Sequence, residues 1–360
     1  MAKKLAFDRI LFTVVIVLVG FGLTMVYSAS VMVGGRGEGG NALILKQALA
    51  AVIGLAAMWL AMHTDYRWLR RKVIVWSMVG GVAVLLLLAL LSPELNNTRR
   101  WLFVGGFSFQ PSELAKFVVV VFLAYQMTKY EESDRASRYL VPAVMTVGFL
   151  VILVLLGRDL GSALMLAAIA GLLLVLAGIP FLPLLTGALL TAPVVIAAVV
   201  MVPYRRQRFL AFLDPEKDPL GAGFQALQSL IALGSGGWIG VGLGQSVQKL
   251  RFLPYPHSDF VFAIVGEELG FIGALAVVAL FLTLLWRGVR AGLRAPDPFG
   301  KYLAWGLSGA ITVQALVHIS VATSVLPATG ITLPFISYGG SSLVVTLVTC
   351  GLLLNVSQHG

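Results

Sequence analysis

Ten apolar runs, each at or near the length that carries a helix across a bilayer, constrain this 360-residue chain more than any other feature. They fall at about 10–27, 43–64, 73–92, 112–127, 141–156, 160–178, 184–203, 260–286, 302–326 and 334–356. A spanning helix needs roughly 20 apolar residues, because backbone N–H and C=O groups in hydrocarbon must bond within their own segment. Only 12% of the residues are charged, about half the share of a soluble domain. The chain therefore reads as an all-α integral membrane protein: a ten-transmembrane-helix bundle forming one unit over residues 1–360, without a soluble domain, tandem repeat or low-complexity tract. Lys3, Lys4 and Arg9 precede the first run as in a signal peptide, but nine runs follow, so this run reads as an uncleaved span.

Charge then sets the orientation. With a cytoplasmic N-terminus, the inside segments carry fourteen Lys and Arg and the short outside segments four, as the positive-inside rule requires. Both termini are then cytoplasmic. The exception is a large extracytoplasmic loop between spans 7 and 8, residues 204–259, which holds Arg205, Arg206, Arg208, Lys217, Lys249 and Arg251. Long loops cross regardless of charge, yet "YRRQR" directly after a span is also suited to an anion at the outer surface. Within this loop "GFQALQSLIAL" places Phe224, Leu227 and Ile231 on one face of a short helix lying in the interface or dipping back into the membrane. The following "GSGGWIGVGLG" holds six glycines, too many for a regular helix at about 1 kcal/mol each. They suit either backbone amides cradling a phosphate or a closely packed, bent segment. The single Cys350 leaves no partner for an internal disulfide and no Cys-based metal site.

Ionisable groups inside apolar runs cost several kcal/mol unless paired or facing a wet cavity, so they are candidates for function. Asp259 stands where the long loop meets the eighth run, two residues after His257 and just past Pro254 and Pro256. A half-solvated carboxylate there suits general-base work; the plainer alternative is a helix cap. Glu267 and Glu268 lie about 80° and 180° round a helix from Asp259, which makes Glu267 the expected partner in the same cavity and directs Glu268 toward a neighbouring helix. Glu113 and Lys116 share a helical face and are expected to pair, lining a cavity or bridging structure. Trp101 sits at an interface position favoured by Trp, and Arg158 beside Asp159 reads as a local charge pair.

Four stretches give these residues a common context. "RRWLFVGGFSFQPSELAK" (99–116), "RDLGSAL" (158–164), "LPYPHSDFVFAIVGEELGFIG" (253–273) and "LPFISYGGSSL" (333–343) resemble, in order and spacing, the signatures of the SEDS family (shape, elongation, division, sporulation), which includes RodA, FtsW and a sporulation homologue. The resemblance covers essentially the whole chain and departs from the pattern at Arg158, where Pro is usual, and Tyr255, where Glu is common. It implies a ten-span peptidoglycan glycosyltransferase polymerising lipid II at the outer face of the bacterial inner membrane, with a class B penicillin-binding protein as transpeptidase partner. It also implies that Asp259 is the main catalytic residue and that Trp101, Glu113 and Lys116 line the cavity. The short tails favour an elongation-type, RodA-like protein over the division-type FtsW.

The expected reaction is inverting β-1,4 transfer, with Asp259 as general base and Arg205, Arg206, Arg208 or a divalent cation, magnesium or manganese, offsetting the charge of the leaving pyrophosphate. Lipid II, the growing glycan strand and membrane lipids are the other expected partners; nucleic acid is not. A lipid-precursor flippase, with the charges forming a translocation path, and a scaffold that only recruits the transpeptidase are the rival readings.

Overall fold

A computed structural model describes residues 7–30, 40–95, 98–104, 107–133, 137–214, 217, 221, 223–250 and 258–359. In chain order the helices are α1 (Arg9–Ser30), α2 (Gly40–His63), α3 (Lys72–Leu90), α4 (Pro111–Glu131), α5 (Ser137–Leu156), α6 (Leu160–Leu176), α7 (Phe181–Val200), α8 (Pro203–Leu213), α9 (Phe224–Ser235), α10 (Val261–Arg294), α11 (Pro298–Ala322) and α12 (Gly340–Ser357). A short antiparallel hairpin, β1 (Leu102–Val104) and β2 (Phe107–Phe109), lies before α4 and pairs Leu102 with Phe109.

Among the described residues, eight helices are long and apolar enough to cross a membrane. The shorter α6 has 17 residues. In α4, Glu113, Lys116 and Gln126 dilute the apolar character. That helix is instead the most enclosed: Val118 through Ala124 are all at most 2% exposed. Glu113 and Lys116, both buried, therefore face protein, as an intramembrane charge must. The outward faces are apolar, with Leu45, Trp59, Val73, Met145, Leu182 and Leu189 all well exposed, a distribution suited to lipid and unusual for a surface in water. The chain is a multi-pass helical membrane protein.

The end of the bundle remote from Asp259 is tied by polar locks. Asp8, just before α1, pairs with Arg287 of α10 and accepts from the Leu11 amide at 3.0 Å. Between α2 and α3, fully buried Tyr66 donates its hydroxyl to Asp297 at 2.5 Å, and Asp297 also caps α11 through the Gly300 amide at 2.9 Å. Asn355 of α12 accepts from the Tyr66 amide at 3.0 Å and donates to the Met62 carbonyl at 2.7 Å. Between these ends, α2 and α12 pack closely, and a Cβ on Gly351 would overlap the Met58 carbonyl.

The segment 204–259 is more than a loop. It contains α8, α9 and a Gly-rich stretch folded back onto α10, and α10 is broken at Gly270 (φ 67°, ψ −168°), a conformation open essentially to glycine alone. The break leaves backbone groups without helical partners, and the Gly-rich stretch supplies them. Val241 and Gly242 donate to the carbonyls of Glu267 and Glu268 at 3.0 Å each; Phe271 and Ile272 donate to the carbonyls of Gly237 and Trp238 at 2.8 and 3.1 Å. A Cβ on Gly236 or Gly240 would collide with the carbonyls of Gly266 and Glu268. Of the two roles open to these glycines, close backbone packing is the one the structure displays.

Candidate active site around Asp259

Asp259 occupies a turn immediately before α10, its residue partly exposed. Phe260, not Asp259, is the N-cap, and no side chain caps the helix, so the capping alternative fails. The turn is held from behind: Ser337 Oγ donates to the Ser258 carbonyl at 2.7 Å and accepts from the Leu333 amide at 2.8 Å. Gly330 (φ 70°) faces the carboxylate, where a Cβ would stand 3.8 Å from Asp259 Oδ2. Among the described residues, the Asp259 carboxylate has no hydrogen-bond or ion-pair partner. The preceding His257 lies outside the described residues.

The segment 329–333 that borders Asp259 is fixed by a buried polar chain running from α4. Glu113 Oε1 accepts from Lys116 Nζ at 2.8 Å, confirming their pairing, and Lys116 also donates to Gln314 Oε1 of α11 at 2.5 Å. Gln314 Nε2 then donates to the Thr332 carbonyl at 2.9 Å, and Thr332 Oγ1 meets Ser342 Oγ at 3.1 Å. A buried ion pair repays its desolvation only when further hydrogen bonds satisfy both partners. Here Gln314 provides one of them and transmits the position of the pair to the loop beside Asp259. Trp101 precedes β1, half-buried, with the Arg100 guanidinium 5.9 Å from its ring centroid.

A second cluster sits at the start of α6. Buried Asp159 caps that helix through the Ser162 amide at 3.1 Å and accepts from Ser162 Oγ at 2.8 Å and Gln110 Nε2 at 3.2 Å. Its cationic neighbour is Arg100 at 3.5 Å. The expected Arg158–Asp159 pair does not form: Arg158 adopts φ 61° and its guanidinium reaches Glu94 at 3.4 Å, because the turn sends adjacent side chains in different directions.

The three arginines of α8 separate. Arg205 donates to the carbonyls of Ala198 and Arg158 at 3.0 and 2.8 Å; burial pulls its pKa below the ordinary value, partly offset by Asp159. Arg206 is exposed. Arg208 reaches the Ala328 carbonyl at 3.5 Å and Gln225 Oε1 at 3.4 Å, and borders a pocket with Phe212, Phe260, Ser324 and Leu326. Of the three, Arg208 is the one whose contacts reach the 324–330 segment that leads to Asp259.

Glu267 does not join Asp259. Its carboxylate is 2% exposed and engaged by Ser246 Oγ at 2.5 Å and the amides of Val247 and Gln248 at 2.9 and 3.4 Å. The correction has a simple cause: these donors come from the Gly-rich side of the long segment, which helical angles alone do not reveal. Glu268 does turn to a neighbouring helix, accepting from Ser28 of α1 at 2.7 Å and from buried Lys249 at 2.7 Å. Among the described residues no three His, Cys, Asp or Glu side chains converge on a metal site. Asp259 is thus not joined by two further such side chains, so the described residues do not by themselves form a site for the expected magnesium or manganese ion. Sequence reasoning also missed Gln314, His318 and Ser337, whose importance comes from contacts with the loop after α11.

Three comparisons bear on this arrangement. The family model described as "Cell cycle protein", FtsW/RodA/SpoVE, matches residues 8–360. The chain is 43% identical to the probable peptidoglycan glycosyltransferase FtsW of Geobacter metallireducens, covering 98% of this chain and 95% of that protein. It is 40% identical to stage V sporulation protein E of Bacillus subtilis, over 99% and 98%. Among solved structures, a chain from a study of "structural coordination of polymerization and crosslinking by a peptidoglycan synthase complex" aligns with a TM-score of 0.79 at 32% identity, covering 98% of each. The rod shape determining protein RodA of Thermus thermophilus aligns at 0.72 and 29%, over 98% and 97%. The preference for an elongation-type protein is not supported. FtsW names dominate the relatives, and the near-complete mutual coverage means that short tails do not separate the two types.

Proposed function

From the premise that this chain belongs to the FtsW/RodA/SpoVE cell cycle protein family, we propose that it is a division-type peptidoglycan glycosyltransferase that polymerises lipid II into glycan strands. In this reading ten spans cross the bacterial inner membrane, Asp259 faces the periplasm, and a class B penicillin-binding protein crosslinks the product. The observation that carries the proposal is Asp259 itself. A partly exposed carboxylate, free of capping duty and without a hydrogen-bond partner among the described residues, stands on a turn braced by Ser337.

Such a carboxylate is available to accept a proton from substrate. Asp259 takes the proton of the acceptor's 4-hydroxyl as that oxygen bonds to the anomeric carbon of the donor; the bond from that carbon to the pyrophosphate oxygen breaks, and its electron pair leaves with polyprenyl pyrophosphate. Arg208, with Arg205 and Arg206 on the same helix, offsets the developing charge. The polar chain from Glu113 and Lys116 holds the loop opposite the carboxylate.

The test is polymer formation from purified lipid II by the wild type and Asp259→Asn, each with a partner that lacks glycosyltransferase activity. General-base catalysis contributes about 10²–10⁴-fold, so Asp259→Asn should lose at least about a hundredfold in rate. Wild-type polymerisation by that variant refutes the assignment.

A further inference from the structure

Ser324 carries two features that its place in the fold does not call for. It follows Thr323, which caps the C-terminal end of α11, and adopts φ 54°. This is the left-handed position after a helix end where glycine is usual, because a Cβ there crowds the carbonyl that follows it. The turn itself sets the geometry: the amides of Val325 and Leu326 both donate to the Ser320 carbonyl, at 2.7 and 3.0 Å. A side chain is therefore retained where its absence would relieve strain. That side chain also leaves its Oγ buried, with no hydrogen-bond partner among the described residues, which is unfavourable in its own right. Nothing within the turn offsets either effect.

The pocket that Ser324 lines supplies a reason. It is the one bordered by Arg208, Phe212, Phe260 and Leu326. Among the described residues its lining includes one guanidinium and no carboxylate, so it favours an anion. Its walls are tied to the turn of Asp259 from two sides. Phe260 directly follows Asp259, and Ala328, whose carbonyl Arg208 contacts at 3.5 Å, stands two residues before Gly330, which faces Asp259 Oδ2. The cavity volume of about 30 Å³ is at least twice the ~10–15 Å³ that one water needs. That is room for a single phosphate group and too little for a sugar ring.

We infer that this pocket seats one phosphate of the donor's polyprenyl pyrophosphate, with Ser324 Oγ turning about χ1 to donate to an oxygen of the phosphate that Arg208 holds. The inference rests on the reading of this chain as a lipid II polymerase and describes the leaving-group end of the same site. Among the anionic groups of lipid II, the pyrophosphate alone is bonded to the anomeric carbon, so it alone must lie close to the turn that carries Asp259. As the bond from that carbon to the pyrophosphate oxygen breaks, its electron pair moves onto the pyrophosphate. Ser324 keeps its hydrogen and contributes only a hydrogen bond to the growing charge. A strained residue kept for its ligand at some loss of stability is a common pattern at functional sites.

The test sets stability against binding. Ser324→Gly gives the left-handed turn the residue it favours and removes the orphan hydroxyl, so Tm should rise; Ser324→Ala removes the hydroxyl and keeps the Cβ. The full-length protein in detergent is titrated with polyprenyl pyrophosphate, the released product, and separately with phosphatidylglycerol, whose headgroup offers the same phosphate chemistry. Both variants should bind polyprenyl pyrophosphate roughly tenfold or more weakly than wild type, the factor that a hydrogen bond to a charged group supplies, with phosphatidylglycerol unaffected. Wild-type affinity for polyprenyl pyrophosphate in Ser324→Ala overturns the inference. A fall in Tm in Ser324→Gly does so too, since the side chain would then be a structural group. Equal weakening for both lipids overturns the assignment to substrate in favour of a phospholipid headgroup. Asp259→Asn, assayed for polymerisation alongside, keeps the two ideas apart, because binding of the product requires no proton transfer. If that variant polymerises, the general-base reading fails and the binding result stands. If it is inactive and the Ser324 variants bind as wild type does, only the role of Ser324 is lost.

Discussion

Replacing Lys249 by Met tests how the long segment is held to the bundle. The Lys249 and Glu268 side chains are 2% and 0% exposed, 2.7 Å apart, with Ser28 bonded to both. Lys249→Met leaves the Glu268 carboxylate buried with only a hydroxyl for company, a loss of about 3–5 kcal/mol. At a few degrees per kcal/mol, the expected fall in Tm is on the order of 5–15 °C. The double change Lys249→Met with Glu268→Met removes both charges. It should recover most of the loss, because an apolar replacement of a buried pair is often neutral or stabilising, by about 1–4 kcal/mol, while the orphaned Ser28 hydroxyl takes back about 1–3 kcal/mol. Cys350 supplies the readout: it is the only cysteine and fully buried, so a dye that fluoresces on reaction with thiols reports unfolding as the sample is heated. A Lys249→Met protein melting within about 1 °C of wild type, against that expected shift, would refute the argument, as would a double variant no more stable than the single.

Gly270→Ala places a Cβ against the Gly240 amide at φ 67°; strain of about 1–3 kcal/mol plus the clash should loosen the Gly-rich segment, measured as faster amide hydrogen exchange at Val241 and Gly242. Arg208→Ala should lower polymerisation by about tenfold or more, as loss of a charge-stabilising donor does, and exposed Arg206→Ala by clearly less; equal effects in lipid II assays would contradict the separation of these residues. Burial first, then the neighbouring Asp297 carboxylate, holds the Tyr66 phenol above its ordinary pKa of 10.0. The folded state therefore keeps a proton that the unfolded state gives up. The stabilisation is complete below about pH 10 and declines as pH rises beyond it, a slope that Tyr66→Phe should abolish in alkaline melting curves.

Much of the fold was legible because each apolar run of spanning length has few options, and each one overlaps a helix, although the last begins six residues before α12. The charged pair in α4 was legible too, since Glu113 and Lys116 meet within one helix. What escaped depends on contacts between distant segments. The run 260–286 reads as one continuous helix, and nothing local announces the break at Gly270; its necessity appears only when the Gly-rich stretch meets it. Glu267 looked like a neighbour of Asp259 because helical angles ignore donors arriving from Ser246 and Val247. Arg158 and Asp159 are adjacent in sequence, yet a left-handed residue turns them to different partners. At the candidate site, Asp259 was visible from its place at the mouth of an apolar run, whereas the bracing of its surroundings by Ser337 and Gln314 depends on the loop after α11 and has no local signal.

The pairing of α2 with α12 also sets a schedule for synthesis. Gln47 donates to the Ser337 carbonyl at 3.3 Å and accepts from the Gly339 amide at 3.1 Å, across 290 residues of intervening chain. At about 5–20 residues per second, α2 enters the membrane roughly 15–60 s before its partner exists. Throughout that wait a polar amide and the open seam at Gly351's future seat must be sheltered by lipid headgroups, by temporary neighbours or by the insertion machinery. Assembly of the bundle is therefore completed from the C-terminal end, and a ribosome that stalls before residue 337 leaves Gln47 without the partners it has in the finished protein.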